Sequence, residues 1–209
     1  MPGSALVLID NIKNLISLDC NLSCDRRHKI DAFKFEDDKK RCIMAELLLR
    51  IGLKELGYDT SNGIAYQYNE WGKPYLKNIQ NVFFNISHSG EYVVCALADN
   101  EIGIDIEQIK DIDVKIAKGL FHPNEYSQII NEENEQKRLD LFYNYWVRKE
   151  SYVKALGEGM HFEFNTFDVT SPNFQYKITE IHDILGYKIA LCSKNNLSLK
   201  IMNLDCEHK

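Results

Sequence analysis

The nucleotide-binding and hydrolase signatures that are easiest to recognise are missing from this 209-residue chain. It has no GxxxxGK(S/T) loop, no GxGxxG turn and no GxSxG elbow, which sets aside the usual glycine-rich phosphate cradles and α/β-hydrolase chemistry. Its six cysteines, Cys20, Cys24, Cys42, Cys95, Cys192 and Cys206, form no CxxC pair. Cys95 and Cys192 sit in apolar runs, where a free thiol behaves as a small hydrophobe, so a reduced cytoplasmic setting is expected. No stretch approaches the ~18 consecutive apolar residues of a membrane helix, and no basic stretch precedes the short apolar run near the start. A net charge of −6 argues against nucleic acid as the main partner.

What the chain does have is enough length for one large domain or two of about 100 residues. Residues 5–9 read as a strand, and 37–56 as a helix, with Ile43, Leu47 and Ile51 at four-residue intervals behind an acidic first turn. Strands are expected over 64–68, 82–87, 92–98 and 102–107, with a turn at 71–74. A short helix over 123–131 and a long one over 137–156 follow, then strands over 166–170, 174–181, 187–193 and 197–204. Both halves thus run strand, helix, strands, with a boundary at Asp99–Asn100. The similarity of Gly90–Ala96 to Gly186–Cys192 suggests duplication.

The chemistry concentrates in three places. In Gly103-Ile104-Asp105-Ile106-Glu107 the two acids share one face of a strand, because residues i and i+2 project together. Their repulsion is relieved by protonation or by a cation, and Mg²⁺ suits an all-oxygen site completed by phosphates and water. In Trp146-Val147-Arg148-Lys149-Glu150-Ser151-Tyr152-Val153-Lys154, the residues Lys149, Glu150 and Lys154 are expected at the edge of a core-facing helix, bordering a cleft. Glu150 and Lys154 could equally be a surface ion pair. The third place, Asn85-Ile86-Ser87-His88-Ser89-Gly90, sets an imidazole between hydroxyls at a strand end, suited to phosphate oxygens or to a satisfied turn. A basic cluster, Arg26-Arg27-His28-Lys29, could receive phosphate or be a solvated turn.

Taken together, Asn85-Ile86-Ser87-His88-Ser89, then Gly103-Ile104-Asp105-Ile106-Glu107, then Trp146-x-x-Lys149-Glu150-Ser151-x-x-Lys154-x-x-Gly157, resemble the signature set of the 4'-phosphopantetheinyl transferases, in the larger Sfp-type branch. The resemblance runs from about Arg26 to about Asp168. It implies an α+β pseudodimer of two similar subdomains, 1–99 and 100–209, with the active site at their interface in a single monomeric chain. It further implies transfer of the 4'-phosphopantetheine arm of coenzyme A to a serine of an apo acyl or peptidyl carrier protein, releasing adenosine 3',5'-bisphosphate. Such carriers serve fatty-acid, polyketide or nonribosomal-peptide synthesis. By matched position Asp105, Glu107 and Glu150 would bind Mg²⁺, with Mn²⁺ an alternative. Glu150 would double as base, Lys154 would neutralise pyrophosphate, and Arg26, Lys29, Arg41, Lys73, Ser87 and His88 would contact the coenzyme. Cys42 departs from the pattern, standing where the family often carries a small hydroxyl residue.

Two other readings use the same residues: a coenzyme- or carrier-binding relative without turnover, and a metal-dependent phosphohydrolase. For docking an acidic carrier, Lys110, Lys115 and Lys118 with Leu120 and Phe121 form a candidate patch. The alternative is a solvated lysine face over core apolar residues.

Overall fold

The computed structural model describes residues 3–15, 22, 27, 30–159 and 163–206. Arg26 and Lys29, with the rest of their cluster except Arg27, lie outside the described residues. In chain order the elements are strand β1 (Gly3–Asn11), helix α1 (Glu36–Glu55), and strands β2 (Tyr66–Tyr68), β3 (Pro74–Leu76), β4 (Phe83–Ser89), β5 (Tyr92–Ala98) and β6 (Ile102–Gln108). Helices α2 (Pro123–Asn131) and α3 (Glu135–Leu156) follow, then strands β7 (Lys177–Ile181), β8 (Tyr187–Ser193) and β9 (Leu197–Asn203).

Two sheets form the centre, one in the order β4-β5-β1-β9 and one in the order β6-β8-β7. Strand alternation explains how they stack, since successive side chains point to opposite faces. In β1, Leu6 and Leu8 pack with Met44, Ala45, Leu48, Leu49 and Leu53 of α1. Val7 and Ile9 point the other way, into a core shared with Ile102, Ile104 and Ile106 of β6 and Ile189 and Leu191 of β8. β5 divides likewise, Val93, Cys95 and Leu97 facing α1 and Val94, Ala96 and Ala98 facing the second sheet. α3 covers the remaining face of the second sheet, giving the layers α1, sheet, sheet, α3. The molecule is a mixed α+β fold in which each half lays one long helix on one sheet.

Glycine sets how closely each helix lies on its sheet. A Cβ at Gly52 of α1 would fall 2.4 Å from Leu97 Cδ1, and one at Gly103 of β6 would fall 2.0 Å from the Ser151 carbonyl oxygen of α3. The two halves are not separate in chain order, because β9 returns to pair in parallel with β1, from Gly3 opposite Leu197 to Ile9 opposite Asn203.

The expected strand over 166–170 does not form. Its surroundings use its backbone groups otherwise: Lys149 Nζ donates to the carbonyls of Phe164 at 2.7 Å and Phe167 at 2.5 Å. The Val169 amide donates to Glu125 Oε1 at 2.9 Å, and Asp168 Oδ1 accepts from the Thr170 amide and hydroxyl at 2.8 and 2.6 Å, a side-chain turn that competes with any ladder. The strand expected from 174 begins only at Lys177.

Candidate active site

The face of β6 that turns away from the sheet interface carries Gly103, Asp105 and Glu107, and the Gly103 approach brings α3 directly over it. Glu150 and Lys154 are four residues apart and therefore project from one side of that helix. Lys154 Nζ stands 2.5 Å from Asp105 Oδ1 and 2.8 Å from Ser87 Oγ, and Ser87 Oγ also donates to Asp105 Oδ1 at 2.8 Å. Asp105 is 3% exposed, yet its second oxygen, Oδ2, is buried with no hydrogen-bond partner. A buried carboxylate oxygen left unpaired is costly and marks a place for a missing donor or cation.

Glu107 accepts from Ser89 Oγ at 2.7 Å. Burial lifts its pKa above the ordinary value and the negative charge of Asp105 adds to that, against the Ser89 bond and Lys154. Glu150 is lifted by burial first and then by Asp105 and Glu107, with Lys154 opposing. These mutual effects put all three carboxylates in one electrostatic neighbourhood with one ammonium. Among the described residues no three His, Cys, Asp or Glu side chains stand close enough together to grip a metal ion as they are, and Lys154 takes up Asp105 Oδ1. The donor set nonetheless fits a hard divalent cation: it is all oxygen, one buried oxygen lacks a partner, and two carboxylates resist ionising beside a third.

Two clefts flank this cluster. One of about 340 Å³ is lined by Asp38, Cys42, Pro74, Phe84 and His88. The His88 pKa is lowered by desolvation and by the Arg41 and Lys154 cations. Since the residue is exposed as a whole, the two cations are the firmer cause. Arg41 reaches across to the β4–β5 turn, donating to the Gly90 carbonyl at 2.7 Å and to Asp38 Oδ1 at 2.5 Å. The other cleft, about 430 Å³, has Glu150 in its walls with Leu120, Trp146, Val153 and Phe164.

Several residues stand elsewhere than the sequence suggests. Lys149, expected at a cleft edge, is fully buried and ion-paired with Glu125 at 2.8 Å, and it lies 3.9 Å from the centroid of the Phe167 ring. Its neighbour Glu150 faces the site because adjacent helical residues point about 100° apart. Lys73 donates to Glu101 Oε2 at 2.5 Å and to the Ala155 carbonyl at 3.1 Å, so it satisfies the C-terminal end of α3. Phe121 is core, its ring tilted against those of Phe142 and Trp146, while Lys110, Lys115 and Lys118 are exposed. Asn85 and Ser89 stand in a motif the sequence offers, but no bond to β6 is expected for them there, and Glu125 is not singled out at all. For the first two the signal was the polar alternation Asn85-x-Ser87-x-Ser89 in an otherwise apolar strand, and for Glu125 there was none beyond helix capping.

Residues 101–195 match the profile described as 4'-phosphopantetheinyl transferase superfamily, and residues 14–100 match that described as 4'-phosphopantetheinyl transferase, N-terminal. The 4'-phosphopantetheinyl transferase gsp of Aneurinibacillus migulanus is 35% identical over 187 residues, covering 84% of this chain and 78% of that protein. The 4'-phosphopantetheinyl transferase Sfp of Bacillus subtilis strain 168 is 30% identical over 184 residues, covering 82% of each. Two profiles that meet between residues 100 and 101, and relatives matched over most of their length, agree with the helix-on-sheet halves and the shared acidic site: the chain belongs to the 4'-phosphopantetheinyl transferase family, in its Sfp-type branch, and is an enzyme of that family.

Proposed function

We propose that the enzyme transfers the 4'-phosphopantetheine group of coenzyme A to a serine hydroxyl of an apo carrier protein, acyl or peptidyl, at the junction of 1–99 and 100–209. The observation that carries this reading is Asp105: one oxygen held by Ser87 and Lys154, the other buried and unpaired, with Glu107 and Glu150 beside it. In the reaction the serine oxygen forms a bond to the β-phosphorus of coenzyme A, the bond from that phosphorus to the bridging oxygen breaks, and adenosine 3',5'-bisphosphate leaves. Asp105, Glu107 and Glu150 would hold Mg²⁺, or Mn²⁺, which when bound supplies positive charge against the pyrophosphate.

The chain's own residues do the rest. Glu150, with its pKa raised, is suited to take the proton of the incoming serine hydroxyl, because a base works best when its pKa is near the operating pH. Lys154, held by Ser87 and Asp105, presents an ammonium suited to neutralise a phosphate oxygen. His88, kept neutral, offers an N–H to phosphate without adding charge, and Arg41, whose cation acts on His88, supplies the charge nearby. Arg26 and Lys29 fall under this reading as further phosphate contacts, and Lys73 does so only by leaving Glu101. The groove with Glu150 in its wall suits the pantetheine arm or the approaching carrier serine. No helix among the described residues is long and apolar enough to cross a membrane, and we read a monomer acting in the cytoplasm.

The test is to incubate the protein with coenzyme A, Mg²⁺ and several apo carriers and to weigh the carriers. Gain of the phosphopantetheine mass with release of adenosine bisphosphate is expected. Phosphate release without a carrier adduct would instead indicate a phosphohydrolase, and no product at all a binding protein.

A further inference from the structure

β4 is an edge of the four-stranded sheet and β6 an edge of the three-stranded one. Edge strands leave a row of N–H and C=O groups without ladder partners. Here the two edges lie side by side, and side chains of β4 fill the gap. Asn85 Oδ1 accepts the Ile104 amide at 2.9 Å, and Ser87 Oγ donates to Asp105 Oδ1 at 2.8 Å. Ser89 Oγ accepts the Gln108 amide at 3.1 Å and donates to Glu107 Oε2 at 2.7 Å. Both numberings rise together, so the strands run in the same direction; the rungs leave β4 from alternate residues, and on β6 they meet the Ile104 and Gln108 amides and the two acids between them.

Ser87 belongs to the site already described and Ser89 touches it through Glu107, but Asn85 and Ser89 also grip the backbone of β6 at either end of the segment that carries the acids. We infer that Asn85 and Ser89 are positioning residues, a side-chain seam that locks β6 to β4 and thereby fixes the spacing of Asp105 and Glu107. The inference rests on the proposed transfer reaction for its purpose, though not for its geometry. A slip of one residue along β6 would turn Asp105 and Glu107 into the apolar sheet interface and bring the isoleucines out. An apolar β4 edge would leave the Ile104 and Gln108 amides unsatisfied, and the ladder with β8 and the buried isoleucines would hold the register without support from β4. Because its rungs come from one sheet and its acids from the other, the seam needs both sheets.

Three variants test this. Asn85→Ala removes the acceptor for Ile104. Asn85→Asp keeps an oxygen at the same reach, and Ser89→Ala cuts the other end should the first variant fold poorly. Each is measured by amide hydrogen exchange along β6, by calorimetric titration with Mg²⁺ alone, and in the carrier assay. The Ala variants should exchange faster at Ile104 or Gln108 and bind Mg²⁺ about tenfold more weakly, as loss of outer-shell support does elsewhere. Their KM for the carrier should stay unchanged, and Asn85→Asp should restore protection at Ile104. Wild-type exchange and Mg²⁺ affinity in both Ala variants would overturn the seam, as would an Asp variant no better protected than Ala. If the unaltered protein transfers no phosphopantetheine, the proposed function falls and the exchange data alone judge the seam, unchanged protection refuting it.

Discussion

Glu150 pulls stability and activity in opposite directions. Burial and two neighbouring acids raise its pKa, which means its ionised form is held at a cost in the folded protein. Glu150→Gln keeps the shape, removes the charge and removes the base. Turnover should fall roughly a hundred- to ten-thousand-fold, while the metal-free protein should melt at the same temperature or higher. A variant with wild-type kcat would remove Glu150 from the chemistry. The same shifts set the pH dependence. Glu107 and Glu150 have folded pKa values above their unfolded ones, so their contribution to stability is fully present below the unfolded values and is lost as pH rises through the raised ones. A cation reverses that loss, because binding favours the ionised carboxylates. Mg²⁺ should therefore raise the melting temperature more at about pH 8 than at about pH 5. An equal rise at both would mean that the ion does not bind these acids. Turnover should climb with pH through the raised Glu150 value, which a pH–kcat profile reads directly.

At the scale of elements, two contacts decide where α3 lies. At Gly103 a methyl group would meet the backbone of α3 itself, the Ser151 oxygen at 2.0 Å and the Ala155 nitrogen at 2.4 Å, so only a shift of the whole helix makes room. Gly103→Ala should cost at least ~1–3 kcal/mol of stability and displace Glu150 and Lys154 from Asp105. Denaturant melts would show the first effect and a loss of Mg²⁺ affinity the second. On the other side of the helix Lys149 and Glu125 are both fully buried and tie α3 to α2 and to the 164–169 segment. Breaking such a pair on one side leaves a buried charge alone, typically ~3–5 kcal/mol, whereas replacing both partners with apolar residues is often close to neutral. Lys149→Met should thus be more damaging in a thermal melt than Lys149→Met combined with Glu125→Met. The reverse order would mean that the pair itself supplies net stability.

Those contacts mark what was legible in the sequence. Asp105 and Glu107 could be read because strand alternation alone puts them on one face, α1 because apolar residues recur at helical spacing behind an acidic first turn, and α3 because its apolar residues favour one side. Lys149 could not, since a lysine beside Glu150 gives no hint that its partner lies on a separate helix. The 166–170 segment has strand-like residues, and the tertiary bonds from Lys149 and Glu125, together with the local Asp168 turn, make it a loop. Asn85 and Ser89 were visible as a polar alternation, but what they hold lies on an element that no local pattern connects to them.

Across the whole molecule, β9 determines whether the halves can exist apart. The last strand belongs to the first sheet: Leu197 and Leu199 pack into the core between the sheets, and Met202 and Leu204 against the α1 side. Asp205, just beyond it, accepts from Asn14 Nδ2 at 3.1 Å and from the Tyr92 hydroxyl at 2.9 Å, fastening the end of the chain to β5 and to the segment after β1. Without this return, β1 would become an edge, its backbone groups unpaired over a length of seven residue pairs and its apolar face opened on both sides. Every candidate catalytic residue lies before residue 155, so a chain ending at Lys194 keeps the whole chemical set. It should nonetheless lose cooperative thermal unfolding, scatter light as it aggregates, and transfer no phosphopantetheine. Charge introduced on the inner face by Leu199→Asp in the full chain should move the melt in the same direction. A truncated protein that melts as the full chain does would show that the first sheet is complete with three strands, and that the two halves are independent units after all.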